Sequence, residues 1–372
     1  MRTISFLSFF FIGLFLACAQ EERQNDVPLS TADGYTFETI VPDLDIPWGL
    51  EFLPDGSMLI TEKKGELIHF KDGQKQLISG LPEIYVRGQG GLLDITLHPN
   101  YEENGWIYMT HASEDGPGEG GNTALIRAKL KGNQLVDVEQ LYKATPNTRK
   151  GQHFGSRIVF DDDGYLFFSI GERGERDVNP QDITRDGGKV YRLHDDGTFP
   201  KDNPFYDQED AKKAIYSYGH RNPQGMILHP DTNTIWVHEH GPRGGDEINV
   251  VQAGNNYGWP VISYGINYSG TSFTDLTTKE GMEQPLYYWV PSIAPSGMAY
   301  VTSDQYPELK GDLLVGSLKF QYLEHVILED DQVVGRRKLL ENIGRLREII
   351  QGPDGYVYLG VEGVGIVKLL KK

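Results

Sequence analysis

Beyond residue 35 the chain repeats one pattern: a short apolar run, a turn of Pro, Asp, Asn or Gly, then a second apolar run. Phe52-Leu53-Pro54-Asp55-Gly56 leads into Met58-Leu59-Ile60, and Leu97-His98-Pro99-Asn100 is followed by Gly105-Trp106-Ile107-Tyr108. Phe160-Asp161-Asp162-Asp163-Gly164 precedes Tyr165-Leu166-Phe167-Phe168, and Leu228-His229-Pro230-Asp231 precedes Ile235-Trp236-Val237. A looser copy runs from Tyr300 through Gly311-Asp312-Leu313-Leu314-Val315, and the last joins Gly352-Pro353-Asp354-Gly355 to Tyr356-Val357-Tyr358-Leu359. Each predicts a β-hairpin, because the turn residues supply the reversal and β-branched or aromatic residues flank it. The copies recur at spacings of about forty to eighty residues, which fits radial repetition better than a sandwich. The predicted fold is all-β, with residues 35–372 forming one six-bladed β-propeller. Nothing resembles a long amphipathic helix. The blander alternative is an irregular all-β domain whose hairpins only look periodic.

Before the repeats, Arg2 and the apolar run Ile4–Ala17 read as an export signal covering residues 1–18, too short for a comfortable membrane span. Phe15-Leu16-Ala17-Cys18 resembles an imperfect lipobox, with Phe in place of Leu. On that reading Cys18, the one cysteine, carries a lipid anchor, and the protein is exported as a periplasmic or outer-membrane-anchored lipoprotein. Cleavage near Ala17 or Ala19 with free release is the alternative. Residues 19–34 read as a polar linker. A formal charge of -18 argues against a nucleic-acid partner, which needs clustered cations to displace counterions; simple solubility explains it.

Three groups of residues carry candidate chemistry. His153 lies in Gly151-Gln152-His153-Phe154-Gly155, flanked by glycines that let a loop approach a ligand. An imidazole there can take a proton in a transition state near neutral pH. His69, His98, His194 and His325 have no such setting and read as structural. Lys319 follows an apolar strand, Arg345 and Arg347 alternate around Leu346 on one strand face, and Arg221 sits in Gly219-His220-Arg221-Asn222-Pro223-Gln224-Gly225. Four cations drawn to one centre need an anion, and guanidinium groups pair bidentately with carboxylates, so a polycarboxylate is implied. For any single Lys or Arg a solvated surface position is the bland reading. Finally, Gly241-Pro242 offers two carbonyls in a constrained turn, with Asp246 and Glu247 adding hard oxygen. Oxygen donors without cysteine suit Ca²⁺. A transition metal on His238 and His240 competes with that reading, and so does a purely turn-stabilising role for the two acids.

Taken together, Gly88-Gln89-Gly90-Gly91-Leu92-Leu93, His153, the Gly219–Gly225 turn, Gly241-Pro242-Arg243-Gly244-Gly245-Asp246-Glu247-Ile248-Asn249 and Asn256-Tyr257-Gly258-Trp259-Pro260 resemble the soluble quinoprotein glucose/sorbosone dehydrogenases. The likeness is nearest to the aldose sugar dehydrogenase branch, through Glu239–Asn249 and Gly265–Gly270, and spans nearly the whole mature chain. It implies a six-bladed propeller. It also implies His153 as the general base that takes the anomeric hydroxyl proton while hydride passes to pyrroloquinoline quinone, giving a lactone. Gln89, Arg221, Asn222, Tyr268, Ser317, Leu318, Lys319, Arg345, Leu346 and Arg347 fall on cofactor positions, and the quinone's three carboxylates account for the cations. Gly241 and Pro242 carbonyls match ligands of a Ca²⁺ that polarises the quinone, and Glu247 with the Tyr257 carbonyl matches a second, structural Ca²⁺. The implied partners are aldose sugars and an unidentified electron acceptor.

The chain also departs from the glucose-oxidising branch. Gln152 stands where that branch has Asp, His240 where it has Gln, and Ser292 where it has Thr. A broad aldose range is therefore expected. Two other functions stay open: a Ca²⁺-dependent propeller lactonase or hydrolase, and a non-catalytic carbohydrate-binding propeller.

Overall fold

The computed structural model describes residues 27–372, so the stretch expected to be an export signal and Cys18 lie outside the described residues. Six antiparallel sheets follow one another along the chain. Blade 1 comprises Pro47–Phe52, Met58–Glu62, Glu66–Lys71 and Gln74–Ile78; blade 2, Leu92–Leu97, Trp106–Ser113, Asn122–Lys131 and Gln134–Lys143. Blade 3 holds Ile158–Phe160, Leu166–Ile170, Lys189–Leu193 and Ile215–Tyr218; blade 4, Pro223–His229, Thr234–Glu239, Asp246–Val251 and Tyr287–Trp289. Blade 5 holds Pro295–Tyr300, Leu313–Ser317, Leu323–Glu329 and Gln332–Leu339. Blade 6 takes Leu346–Gln351, Val357–Val361 and Gly365–Lys371 from the C-terminus and Tyr35–Pro42 from the N-terminal side.

The first strand of each blade touches the first strands of both neighbours, so these strands line a central axis. Six apolar clusters fill the six blade–blade interfaces. This explains the continuous apolar runs of the second strands. Met58–Glu62, Leu166–Ile170 and Leu313–Ser317 are buried along their whole length because both faces of the sheet are covered. The outer strands meet water: in Gln74–Ile78 only the last residue is buried.

Every hairpin read from the sequence is the turn between the first and second strands of a blade. All six therefore lie at one end of the axis. In an antiparallel sheet the second-to-third turns and the blade-to-blade connections must emerge at the other end. The axis itself is plugged by Arg157, whose Nη1 donates to Asp94 (2.8 Å) and to Glu348, and whose Nε donates to the Gln224 carbonyl (3.1 Å).

Ring closure comes from pairing Tyr35–Pro42 with Gly365–Lys371. The stretch read as a polar linker is structured at its end. Leu29–Thr31 adds a fifth, parallel strand to blade 5 along Arg336–Lys338, occupying an edge that would otherwise expose unpaired backbone groups. The one helix among the described residues is the short Tyr101–Asn104.

Candidate active site

His153 sits in the connection from blade 2 to blade 3 with a left-handed backbone (φ 59°), a conformation that costs a non-glycine residue about 1–3 kcal/mol. Its surroundings hold it there. The His153 N–H donates to Gln89 Oε1 (2.7 Å), and Nδ1 meets the Glu172 carboxylate in a short contact. Glu172 lies just past the second strand of blade 3 and is buried. Its neighbour Arg173, fully buried, works on the backbone of the same loop. Arg173 donates to the carbonyls of Gln152, Lys150 (3.0 Å) and Gly121 (3.1 Å), and its guanidinium lies 3.4 Å from the Phe154 ring centroid. Gly155 follows, also left-handed, where a Cβ would strike the Ile170–Gly171 backbone.

Burial first, and then the nearby Arg221 cation, hold the His153 imidazole below its ordinary pKa against the opposing pull of Glu172. The ring is therefore neutral at pH 7. With Nδ1–H directed at the carboxylate, Nε2 is left as the proton acceptor, which is the tautomer a general base needs.

Arg221 and Asn222 enter from the connection to blade 4. The Asn222 Oδ1 accepts the Gly155 N–H (3.1 Å), which leaves its buried Nδ2 without a partner. The Arg221 guanidinium donates to the carbonyls of His240 (2.9 Å) and Gly241 (3.2 Å).

The Gly241-Pro242 turn is fixed by Asp246. One carboxylate oxygen accepts the Gly241 N–H (2.7 Å), and the other accepts Ile293 (2.7 Å) and Ala294 (2.9 Å) from the next blade connection. Asp246 is thus a structural tie. Burial pushes its carboxyl up to about 6. Glu247 faces a different group: it shares a buried region with Glu239, and Asn249 Nδ2 donates to both (3.2 Å each). Burial and then Glu239 raise the Glu247 carboxyl well above its ordinary range. Asn249 Oδ1 is buried without a partner. Two crowded carboxylates and an orphaned oxygen are a donor set that suits a hard divalent cation. The Tyr257 ring stacks on His220 (4.5 Å), and His220 Nδ1 donates to Glu239 (2.8 Å), which sets Tyr257 beside this group.

His238 and His240 do not converge on a metal. His240 Nε2 lies 2.5 Å from the Pro295 carbonyl, and His238 is fully buried against Gly225, where a Cβ would collide with its ring. Among the described residues no cluster of three or more His, Cys, Asp or Glu could hold a metal.

The cations gather on blades 5 and 6. Arg345 Nε (2.8 Å) and Arg347 Nε (2.5 Å) both donate to Glu362, and Arg345 Nη1 donates to the Leu318 carbonyl (3.0 Å). Lys319 leaves the same turn as Leu318, its Nζ 4.9 Å from the Phe320 ring. Ser317 and Leu346 are buried scaffold. The Ser317 hydroxyl donates to the Ile293 carbonyl (2.9 Å), and the Leu346 carbonyl accepts from Ser296. Tyr268 stands 73% exposed on the long loop of blade 4.

Sequence reasoning missed Glu172, Arg173, Glu239 and Glu362. A signal was present for Glu172 and Glu362, since each lies one or two residues past an apolar second strand, at the end of the axis where His153 and the Gly241 turn emerge.

Fold and site together define the class: a six-bladed propeller with a carboxylate-held imidazole and a cation group at one axial mouth. The chain belongs to the Glucose / Sorbosone dehydrogenase family, whose profile matches residues 44–368. It is 41% identical over 330 residues to Aldose sugar dehydrogenase YliI of Escherichia coli (strain K12), covering 87% of this chain and 88% of the relative. The crystal structure of the soluble aldose sugar dehydrogenase of Escherichia coli in the apo-form superposes with a TM-score of 0.85 at 38% identity, over 91% of this chain and 100% of that one. The PQQ-bound form of an aldose sugar dehydrogenase from Streptomyces coelicolor gives 0.74 at 26% identity, over 92% and 100%.

Proposed function

We propose that this protein is a pyrroloquinoline quinone-dependent aldose sugar dehydrogenase that oxidises the anomeric carbon to a lactone. One observation carries the reading: a neutral, Glu172-held imidazole and the Lys319, Arg345 and Arg347 cations share one mouth of the propeller axis. Residues for the cofactor fit its chemistry. Lys319, Arg345 and Arg347 would hold carboxylates, and the unpartnered Asn222 Nδ2 would donate to a quinone oxygen. Gly241 and Pro242 carbonyls would hold one Ca²⁺, and Glu247 with Tyr257 a structural one. When bound, the Ca²⁺-polarised quinone supplies a two-electron acceptor for hydride.

The protein's own part is proton transfer and orientation. His153 Nε2 takes the anomeric hydroxyl proton, Glu172 stabilises the resulting imidazolium, and Gln89 with Arg173 keeps the ring in place. A long neutral Gln152 in place of an acid beside the base supports a broad aldose range over glucose specialisation. A hydrolase would need no clamp for a polyanion, and a binding module would need no base. Export, with Cys18 as a lipid anchor, belongs to this proposal and places sugar oxidation outside the cytoplasm.

The test is reconstitution. Protein stripped of metal and quinone is mixed with Ca²⁺, with quinone, with both or with neither, and dye reduction is followed over a panel of sugars. Activity is expected only with both, and chelation should remove it. Sugar oxidation without quinone, or none with both, overturns the proposal.

A further inference from the structure

The blade repeat itself points to a site residue. In every blade a charged or polar residue stands one or two positions past the second strand, at the end of the axis where His153 emerges; in blade 2 these are the exposed Glu114 and Asp115. Blade 3 places Glu172 there, blade 4 His240 and Gly241, blade 5 Lys319 and blade 6 Glu362. In blade 1 the second strand ends at Glu62, so the equivalent residue is Lys63.

Lys63 is half-buried, and its Nζ donates to the Gly88 carbonyl (2.9 Å). That carbonyl precedes Gln89, the residue that holds the His153 backbone. Burial first, and then the Arg347 cation on the other side, lower the Lys63 pKa. Lys63 therefore spans the gap between the base and the clamp. Asp45 and Glu362 contribute to its field, but among the described residues no carboxylate lies within ion-pair distance of it. Its neighbour Lys64 shows the contrast, turned outward and paired with Glu66 at 2.7 Å. Space around Lys63 is also specified: a Cβ on Gly91 would strike the Lys63 backbone and side chain.

A half-buried ammonium whose one hydrogen-bond partner is a neutral carbonyl, with no carboxylate in ion-pair contact, keeps donor capacity for an anion entering the mouth. We propose that Lys63 is a further cofactor-binding residue, donating to a carboxylate of the quinone from the Gly88 side of the cation group. Resting on the function proposed above, this adds a cation on blade 1 to those on blades 4, 5 and 6.

Calorimetry of quinone binding tests it, on the parent protein, Lys63→Met and Lys63→Arg with Ca²⁺ present. Loss of one charge-assisted bond should weaken Lys63→Met about tenfold to a hundredfold. Lys63→Arg should stay within about threefold of the parent, since it keeps the charge. A parallel titration uses the quinone trimethyl ester, whose masked carboxylates should make its affinity insensitive to Lys63. Unchanged quinone affinity in Lys63→Met overturns the inference. So does an equal loss for quinone and ester, which would mean that only the Gly88 loop had loosened. A parent protein that binds no quinone would instead overturn the functional proposal itself.

Discussion

Glu172→Gln is the sharpest test of the proton chemistry. The change is nearly isosteric and removes one buried negative charge from beside His153 Nδ1. In the reaction the imidazole becomes a cation, and an adjacent carboxylate at about 4 Å is worth about 4 kcal/mol at an effective dielectric near 20. Arg221 already opposes that cation, so little else is available to replace Glu172. A glutamine can also donate its amide N–H to Nδ1, forcing the proton onto Nε2 and removing the base. Both effects act on the chemical step. The expected loss in kcat is about 10²–10⁴-fold, with quinone affinity unchanged. Stopped-flow reduction of quinone-loaded enzyme by saturating aldose isolates that step.

The pH profile gives a second readout of the same change. Burial and Arg221 hold His153 below its ordinary pKa, so the base form prevails above that value. In the parent, kcat/KM should rise with pH through an apparent pKa below 6.5 and be flat at neutrality. Without the raising influence of Glu172 the profile should move to still lower pH. His153→Ala should reach the same low rate, and the double variant should be no worse, because the two residues act as a unit. Parent-like turnover in quinone-loaded Glu172→Gln would refute the reasoning.

Arg347→Ala should weaken quinone binding by about 2–5 kcal/mol, since it strands a buried carboxylate partner; calorimetry checks this, and excess quinone should partly restore activity. Asp246→Ala orphans the N–H groups of Gly241 and Ile293 and leaves Ala294 N–H only Ser292 Oγ (3.2 Å), so urea unfolding should show a loss of about 2 kcal/mol or more. His238 is buried neutral with its pKa pulled down to about 3, while the unfolded chain protonates it below about 6.5. The parent should therefore lose stability relative to His238→Asn as pH falls below 6.5, by about 1.4 kcal/mol per unit; paired melts at pH 7, 6 and 5 measure the difference.

The six hairpins were legible in the sequence because a reversal is local. Phe52-Leu53-Pro54-Asp55-Gly56 carries its turn and both flanking strands within a few residues, and six such copies make a propeller count possible. His153, the Gly241-Pro242 turn and the Arg345/Arg347 pair were legible for the same reason: glycines, a constrained turn and strand alternation are neighbours' properties. Three things needed the tertiary structure. The strand Tyr35–Pro42 closes the ring against Gly365–Lys371, a pairing between opposite ends of the chain that no local pattern encodes. Leu29–Thr31 reads as polar linker because its side chains are exposed; only the edge of blade 5 makes it a strand. Finally, whether an acid is a ligand, a tie or a partner depended on what the fold brought to it. Asp246 met backbone N–H groups and became a tie, Glu247 met another carboxylate, and Glu172 met the imidazole. Charge and residue type are written in the sequence, but an ionisable group's role follows from its burial and its neighbours, and those are set by contacts between blades.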